Sequence, residues 1–153
     1  MKKKIVILTF IVLLLFAGGC SFNAYVSPGN IEEDKETTVS EIQLFHERFN
    51  NEKYMEICEK ASEYLWKGQG KETTINTFNE AHRTLGKYRI VRDSRSKVIV
   101  GTPVQIRVVY VSSFDSGDVT EIFNFVKEGN GVKLASYKVS EGGVDLNKIK
   151  ELK

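Results

Sequence analysis

Cysteine, proline, histidine and tryptophan are all scarce in this chain of 153 residues, with two, two, two and one copies. The two cysteines, Cys20 and Cys58, give at most one bridge, so the chain is no disulfide-stapled scaffold. His46 and His82 have no matched spacing of the kind a zinc site needs, so no metal ligand is assigned. Charge of one sign is also missing. Lys2, Lys3 and Lys4 stand apart at the start; removing them from the 22 basic residues leaves 19 against 20 acidic, a charge of −1. That balance offers nothing to pull in nucleic acid and no acidic tail. The longest apolar run, Ile5 to Phe16, has 12 residues, well short of the ~20 needed to span a bilayer. No nucleophile elbow, phosphate loop or dinucleotide fingerprint occurs, and no cofactor is assigned.

What is present begins with the leader. Three lysines, the apolar run and then small residues have the layout of a secretion signal over residues 1–19. Ala17-Gly18-Gly19-Cys20 resembles the bacterial lipobox, with Ala17 where leucine is commonest in that family. The resemblance implies cleavage between Gly19 and Cys20, and acyl chains on the Cys20 thiol. Two or more chains give stable membrane attachment, whereas one gives marginal binding. It also implies a cell-envelope location: with Ser21 next, the periplasmic face of the outer membrane in a Gram-negative host, or the outer face of the plasma membrane in a Gram-positive one. With Cys20 acylated, Cys58 has no partner and reads as a small buried apolar side chain.

Residues 20–37 read as the lipidated cysteine and a tether, because Ser27-Pro28-Gly29-Asn30 punctuates and Glu32-Glu33-Asp34-Lys35-Glu36 resists burial. As coil this tether reaches about 20–25 Å. The folded domain is expected over 38–140. Ser40 and Gln43 form a capping-box pattern, and Val39, Ile42, Phe45 and Phe49 follow at helical spacing. Tyr54, Ile57, Cys58, Ala61 and Leu65 share one face of a second helical segment. Ile75, Phe78, His82 and Leu85 mark a third, stopped by Gly86. From Tyr88 the period becomes two, with strands around 88–100, 104–111, 119–127 and 132–139. Turns are expected at Asp115-Ser116-Gly117-Asp118 and at the hairpin pair Asn130-Gly131. Residues 141–153 are a lysine-rich tail. Helices grouped before strands predict an α+β fold, three N-terminal helices on a curved antiparallel sheet of about four strands.

This order, with Phe45 to Tyr54 opening the first helices and Arg83-Thr84-Leu85-Gly86 ending the third, resembles the nuclear-transport-factor-2-like or cystatin-like superfamily. Over about residues 40–140 the resemblance implies a cone-shaped fold with a pocket between helices and sheet. It does not imply an activity, because that superfamily holds both enzymes and inert scaffolds.

Four residues are candidates for such a pocket. His82 beside Arg83 could serve as acid or base; equally, both suit a helix C-terminus. Tyr54, with Tyr88 and Asp93, supplies the residue types that ketosteroid isomerase uses, a carboxylate base and a tyrosine facing an enolate oxygen. His46 and Glu47 fall where a helix surface is expected. Phe45, Phe49, Phe78, Phe123 and Phe125 read as core. Arg89, Arg92, Arg95 and Lys97 read as a charged strand edge that discourages pairing between molecules, or as a contact for lipid headgroups. The leading expectation is a non-catalytic envelope lipoprotein that binds a partner protein or an apolar ligand. The alternative is a small pocket enzyme of isomerase or hydrolase type.

Overall fold

The computed structural model describes residues 31–143. The leader, Gly19, Cys20, the start of the tether and the tail from 144 lie outside the described residues. Three helices come first: α1 (Ile31–Asn50), α2 (Tyr54–Lys60) and α3 (Lys71–Leu85), with a 3-10 turn at Glu63–Leu65. Four strands follow: β1 (Tyr88–Ile99), β2 (Gln105–Phe114), β3 (Gly117–Glu128) and β4 (Gly131–Glu141). They pair antiparallel in the order β1-β2-β3-β4 as one curved open sheet. The class is α+β, as the sequence order predicts. No described helix is long and apolar enough to cross a membrane.

The first correction is at the N-terminal boundary. Residues 31–37 are helix rather than tether, continuous with the helix that carries Ile42, Phe45 and Phe49. The acidic run that reads as solvated coil puts Glu32, Glu33 and Asp34 in the first turn of α1, where negative charge favours the helix dipole. Asp34 is itself buried and pairs with Lys127 of β3, tying that turn to the sheet. Ser40 is therefore exposed inside a helix rather than capping one. Val39 is exposed too, and Thr38 takes its place on the buried stripe with Ile42, Phe45, His46 and Phe49.

Phe45 is the hub of the core. Its ring meets Phe49, Phe78, Phe123 and Tyr137 at centroid distances of 4.7–6.0 Å. Ile106, Val108, Phe123 and Phe125 close the core from the sheet, and Ile57, Cys58 and Leu85 from the helices. The phenylalanines and Cys58 are core, as read. Burial also pushes the Cys58 thiol up, against a smaller opposing effect of Lys71.

Three irregularities set which side chains face that core. β1 slips register twice against β2, between Tyr88 and Ile90 and between Val91 and Asp93. β4 slips once against β3, where Asn124 faces Ser136 but Phe125 faces Leu134. The extra residue, Ala135, switches the inward positions from Val132 and Leu134 to Tyr137 and Val139. The β3–β4 turn also lies one residue earlier than the sequence pair implies. Glu128 and Gly131 are paired, so Gly129 and Asn130 are its centre. Only Gly129 takes positive φ, +59°, the pattern of a type II′ turn.

Candidate functional site

The one buried acid on the sheet's inner face is Glu121, with 0% of its surface exposed. It sits on β3 in the same parity as Val119, Phe123 and Phe125. Opposite it in the ladder stand Tyr110 of β2 and Val139 of β4. His46, 4% exposed on α1, points Nε2 at both carboxylate oxygens, at 3.1 and 3.0 Å. The Tyr137 hydroxyl donates to Glu121 Oε1 at 2.8 Å. The His46 ring stacks on Tyr88, with centroids 3.6 Å apart and planes 3° from parallel. Tyr88 is in turn held by Asn50, whose side-chain amide accepts from the Tyr88 N–H and donates to its carbonyl. One carboxylate, one imidazole and three tyrosines therefore share the inner face.

Burial raises the Tyr137 phenol well above its ordinary range, and the Glu121 charge and hydrogen bond raise it further. Tyr88 and Tyr110 are raised too, first by burial, then by neighbours that include Glu121. All three phenols thus stay protonated, and Tyr137 is the one seen donating to Glu121. The buried Glu121 has two donors, His46 Nε2 shared between its oxygens and the Tyr137 hydroxyl, as such a group needs partners to avoid a desolvation cost of several kcal/mol. No described cavity is lined by Glu121 or His46. What this cluster does chemically is hold α1, β1, β3 and β4 in one arrangement.

The structure separates Asp93 and Arg83 from the other two pocket candidates. Asp93 is exposed at a bulge of β1, accepting from the backbone N–H of Ser94. Arg83 is exposed and pairs with Glu80 at 2.7 Å. Neither stands in a pocket: the bulges shift β1, and Arg83 lies on the solvent side of α3. Tyr54 and His82 do come together, their rings 6.4 Å apart and both against Phe49. The Tyr54 hydroxyl and His82 Nε2 are buried without a hydrogen-bond partner among the described residues. Burial, then Glu52, raises the Tyr54 phenol. Neither residue lines a described cavity. His46 is corrected from helix surface to core, while Glu47 is exposed as read.

Sequence reasoning missed Glu121 and His46, yet both carry a signal. Glu121 is the acid on the phenylalanine side of an alternating strand. His46 stands four residues after Ile42 and three before Phe49, on the stripe that faces the core.

The open space lies elsewhere, between α3 and the β4 edge. This cleft of about 390 Å³ has Leu65, Phe78, Ala81, Tyr137 and Val139 as apolar walls, with Gln69, Thr74, Thr77, Ser136 and Lys138 as its polar part. Its volume falls in the range of small-molecule sites. A smaller groove of about 130 Å³ runs between Lys35, Thr38 and Val39 of α1 and the β1–β2 pair. Among the described residues no group of three or more histidine, cysteine or acidic side chains is placed to hold a metal. No family model and no curated protein matches the chain.

Proposed function

We propose that this chain is a cell-envelope lipoprotein, cut before Cys20 and held to the membrane by lipid on that cysteine. Its α+β domain binds a small amphiphile, an apolar body with an anionic head, and does not turn it over. The reading of the anchor rests on Lys2 to Cys20. It places the domain on the periplasmic side of the outer membrane in a Gram-negative host.

The observation that carries the binding reading is the cleft beside α3. Its apolar walls, Phe78, Ala81 and Val139, suit a hydrocarbon body, and Lys138 on the exposed β4 edge suits the head. Binding is favoured over catalysis because the titratable groups of the interior are turned away from this space. The Tyr137 ring lines the cleft, but its hydroxyl is committed inward to Glu121.

The test is a titration with the anionic amphiphile anilinonaphthalene sulfonate, using the chain from residue 20 with Cys20→Ser. A saturable site is expected. Thr77→Trp, at an exposed position of α3 on the cleft, should abolish it at unchanged thermal stability. Lys138→Glu should weaken it at least tenfold, about 1.4 kcal/mol. Binding that survives Thr77→Trp contradicts the assignment.

A further inference from the structure

The loop between α2 and α3 carries aromatic rings that the core does not absorb. Tyr64 is 51% exposed, and Trp66 is only partly covered. Each ring has an ammonium over it: Lys67 Nζ lies 5.3 Å from the Tyr64 centroid, and Lys71 Nζ 4.9 Å from that of Trp66. Gly68 and Gly70 take φ of +100° and +86°, and a Cβ at either would meet nothing within 4 Å. The tip of the loop therefore stands clear of the rest of the domain. Amphipathic rings beside lysines with long apolar stems are the side chains that settle at the level of phospholipid headgroups.

The fold puts this loop at the same end as the first described residue. Asp34, in the first turn of α1, pairs with Lys127. The next residue of β3, Glu128, accepts from the hydroxyl of Ser62, where the loop begins. The Ser62 N–H donates to the Leu134 carbonyl of β4 at 3.0 Å. The start of α1 and the start of the loop are thus fixed to neighbouring residues beside the β3–β4 turn. Ten residues, 21–30, separate Cys20 from Ile31, and ten residues span at most about 35 Å. A lipid on Cys20 keeps this end of the domain within that distance of the bilayer, so even a weak surface contact becomes intramolecular and is populated.

The charges select the kind of surface. Glu63 pairs with Lys67 at 3.4 Å, and Glu32 and Glu33 are exposed on the first turn of α1. Acids at this end offset its lysines, so the contact is made by rings and lysine stems with zwitterionic lipid rather than by net charge with anionic lipid. The same loop borders the cleft: Leu65 and Gln69 line it, and Gln69 donates to the Thr74 hydroxyl at 3.0 Å.

We propose that residues 63–71 rest on the headgroup layer of the membrane that anchors the chain, with Tyr64 and Trp66 at the interface. The cleft then opens beside the bilayer and takes its amphiphile from it. This inference rests on the anchor and the cleft proposed above.

Trp66, the one tryptophan of the chain, is the probe. Full-length protein, extracted from its own membranes, is placed in phosphatidylcholine nanodiscs whose lipid is brominated either just below the headgroup or near the chain end. Trp66 fluorescence should be quenched more by the shallow bromine than by the deep one. Tyr64→Ser with Lys67→Glu and Lys71→Glu should cut the shallow quenching about threefold or more at unchanged melting temperature. Moving the probe by Tyr64→Trp with Trp66→Phe should preserve it. A protein that stays on the discs with Trp66 indifferent to shallow bromine overturns the contact and leaves the anchor standing. Quenching that survives the triple variant, or that needs added anionic lipid, also overturns it. A protein that leaves the discs overturns the anchor and this contact together, whereas the cleft is tested separately, without membranes, by the dye titration.

Discussion

Replacing Glu121 by alanine removes the acceptor for two donors, His46 Nε2, which faces both carboxylate oxygens, and the Tyr137 hydroxyl. His46 is 4% exposed, so water cannot take the carboxylate's place without opening the core. Breaking one partner out of such a buried pair costs about 3–5 kcal/mol. Folded domains hold about 5–15 kcal/mol in all, so the variant loses about a fifth or more of its stability. For a domain of this size the melting temperature should fall on the order of 10–25 °C. Glu121→Gln keeps the volume and an acceptor, and should cost about 1–3 kcal/mol. The triple variant His46→Phe, Glu121→Leu, Tyr137→Phe removes every polar partner together and should recover most of the loss, since replacing both partners of a buried hydrogen bond by apolar groups is often nearly neutral or better. Urea unfolding followed by Trp66 fluorescence and far-ultraviolet circular dichroism, compared at constant slope, reads all three. A Glu121→Ala cost below about 1 kcal/mol, or a triple variant no better than the single, would refute the structural role given to this cluster.

Gly86 ends α3 at φ +73°, and a Cβ there would stand 2.5 Å from Asp115 Cβ. Gly86→Ala should therefore cost more than about 1 kcal/mol, read as a fall in urea midpoint. Asp115 accepts from the Lys87 N–H at 2.8 Å and from Arg89 at 2.6 Å, and these bonds lower its carboxyl below the ordinary range. A depressed folded pKa adds stability that is present above the unfolded value, about 3.9, and is lost as pH falls through the folded one. Asp115→Asn should thus flatten the acid limb of a stability–pH curve below about pH 4; an unchanged limb would dismiss the role. Asp34→Ala strands Lys127, whose side chain is 17% exposed, and should speed amide hydrogen exchange at Thr37 to Ser40 by loosening the first turns of α1.

Much of the fold is legible in the residues because periods of 3.6 and 2 follow directly from which faces are buried. The stripe Ile42, Phe45, Phe49 and the change of period at Tyr88 carry the α+β order. The start of α1 is hidden because Glu32, Glu33 and Asp34 look like solvated coil. What makes them helical is tertiary, the pairing of Asp34 with Lys127, 93 residues away. The tight hairpin is legible to within one residue, since Gly129 and Gly131 both flank Asn130. The bulge at Ala135 is not legible, because nothing local marks it, and it decides that Tyr137 rather than Ser136 faces Glu121. The candidate site shows the same division. The reading of Cys20 rests on a local resemblance, Ala17-Gly18-Gly19-Cys20, that needs only adjacent residues. The cleft is made where α3 and β4 meet, about 60 residues apart in sequence, so no pattern along the chain reports it.

The central claim is a lipid-anchored domain that carries a small amphiphile beside α3. Native mass spectrometry of the full-length protein, gently extracted from its own membranes, tests it most directly. The account predicts a chain that begins at Cys20 with its acyl chains, carrying a small-molecule adduct that is absent from Thr77→Trp. A chain that retains residues 1–19 would contradict the anchor, and a bare chain or an adduct indifferent to Thr77→Trp would contradict the cleft.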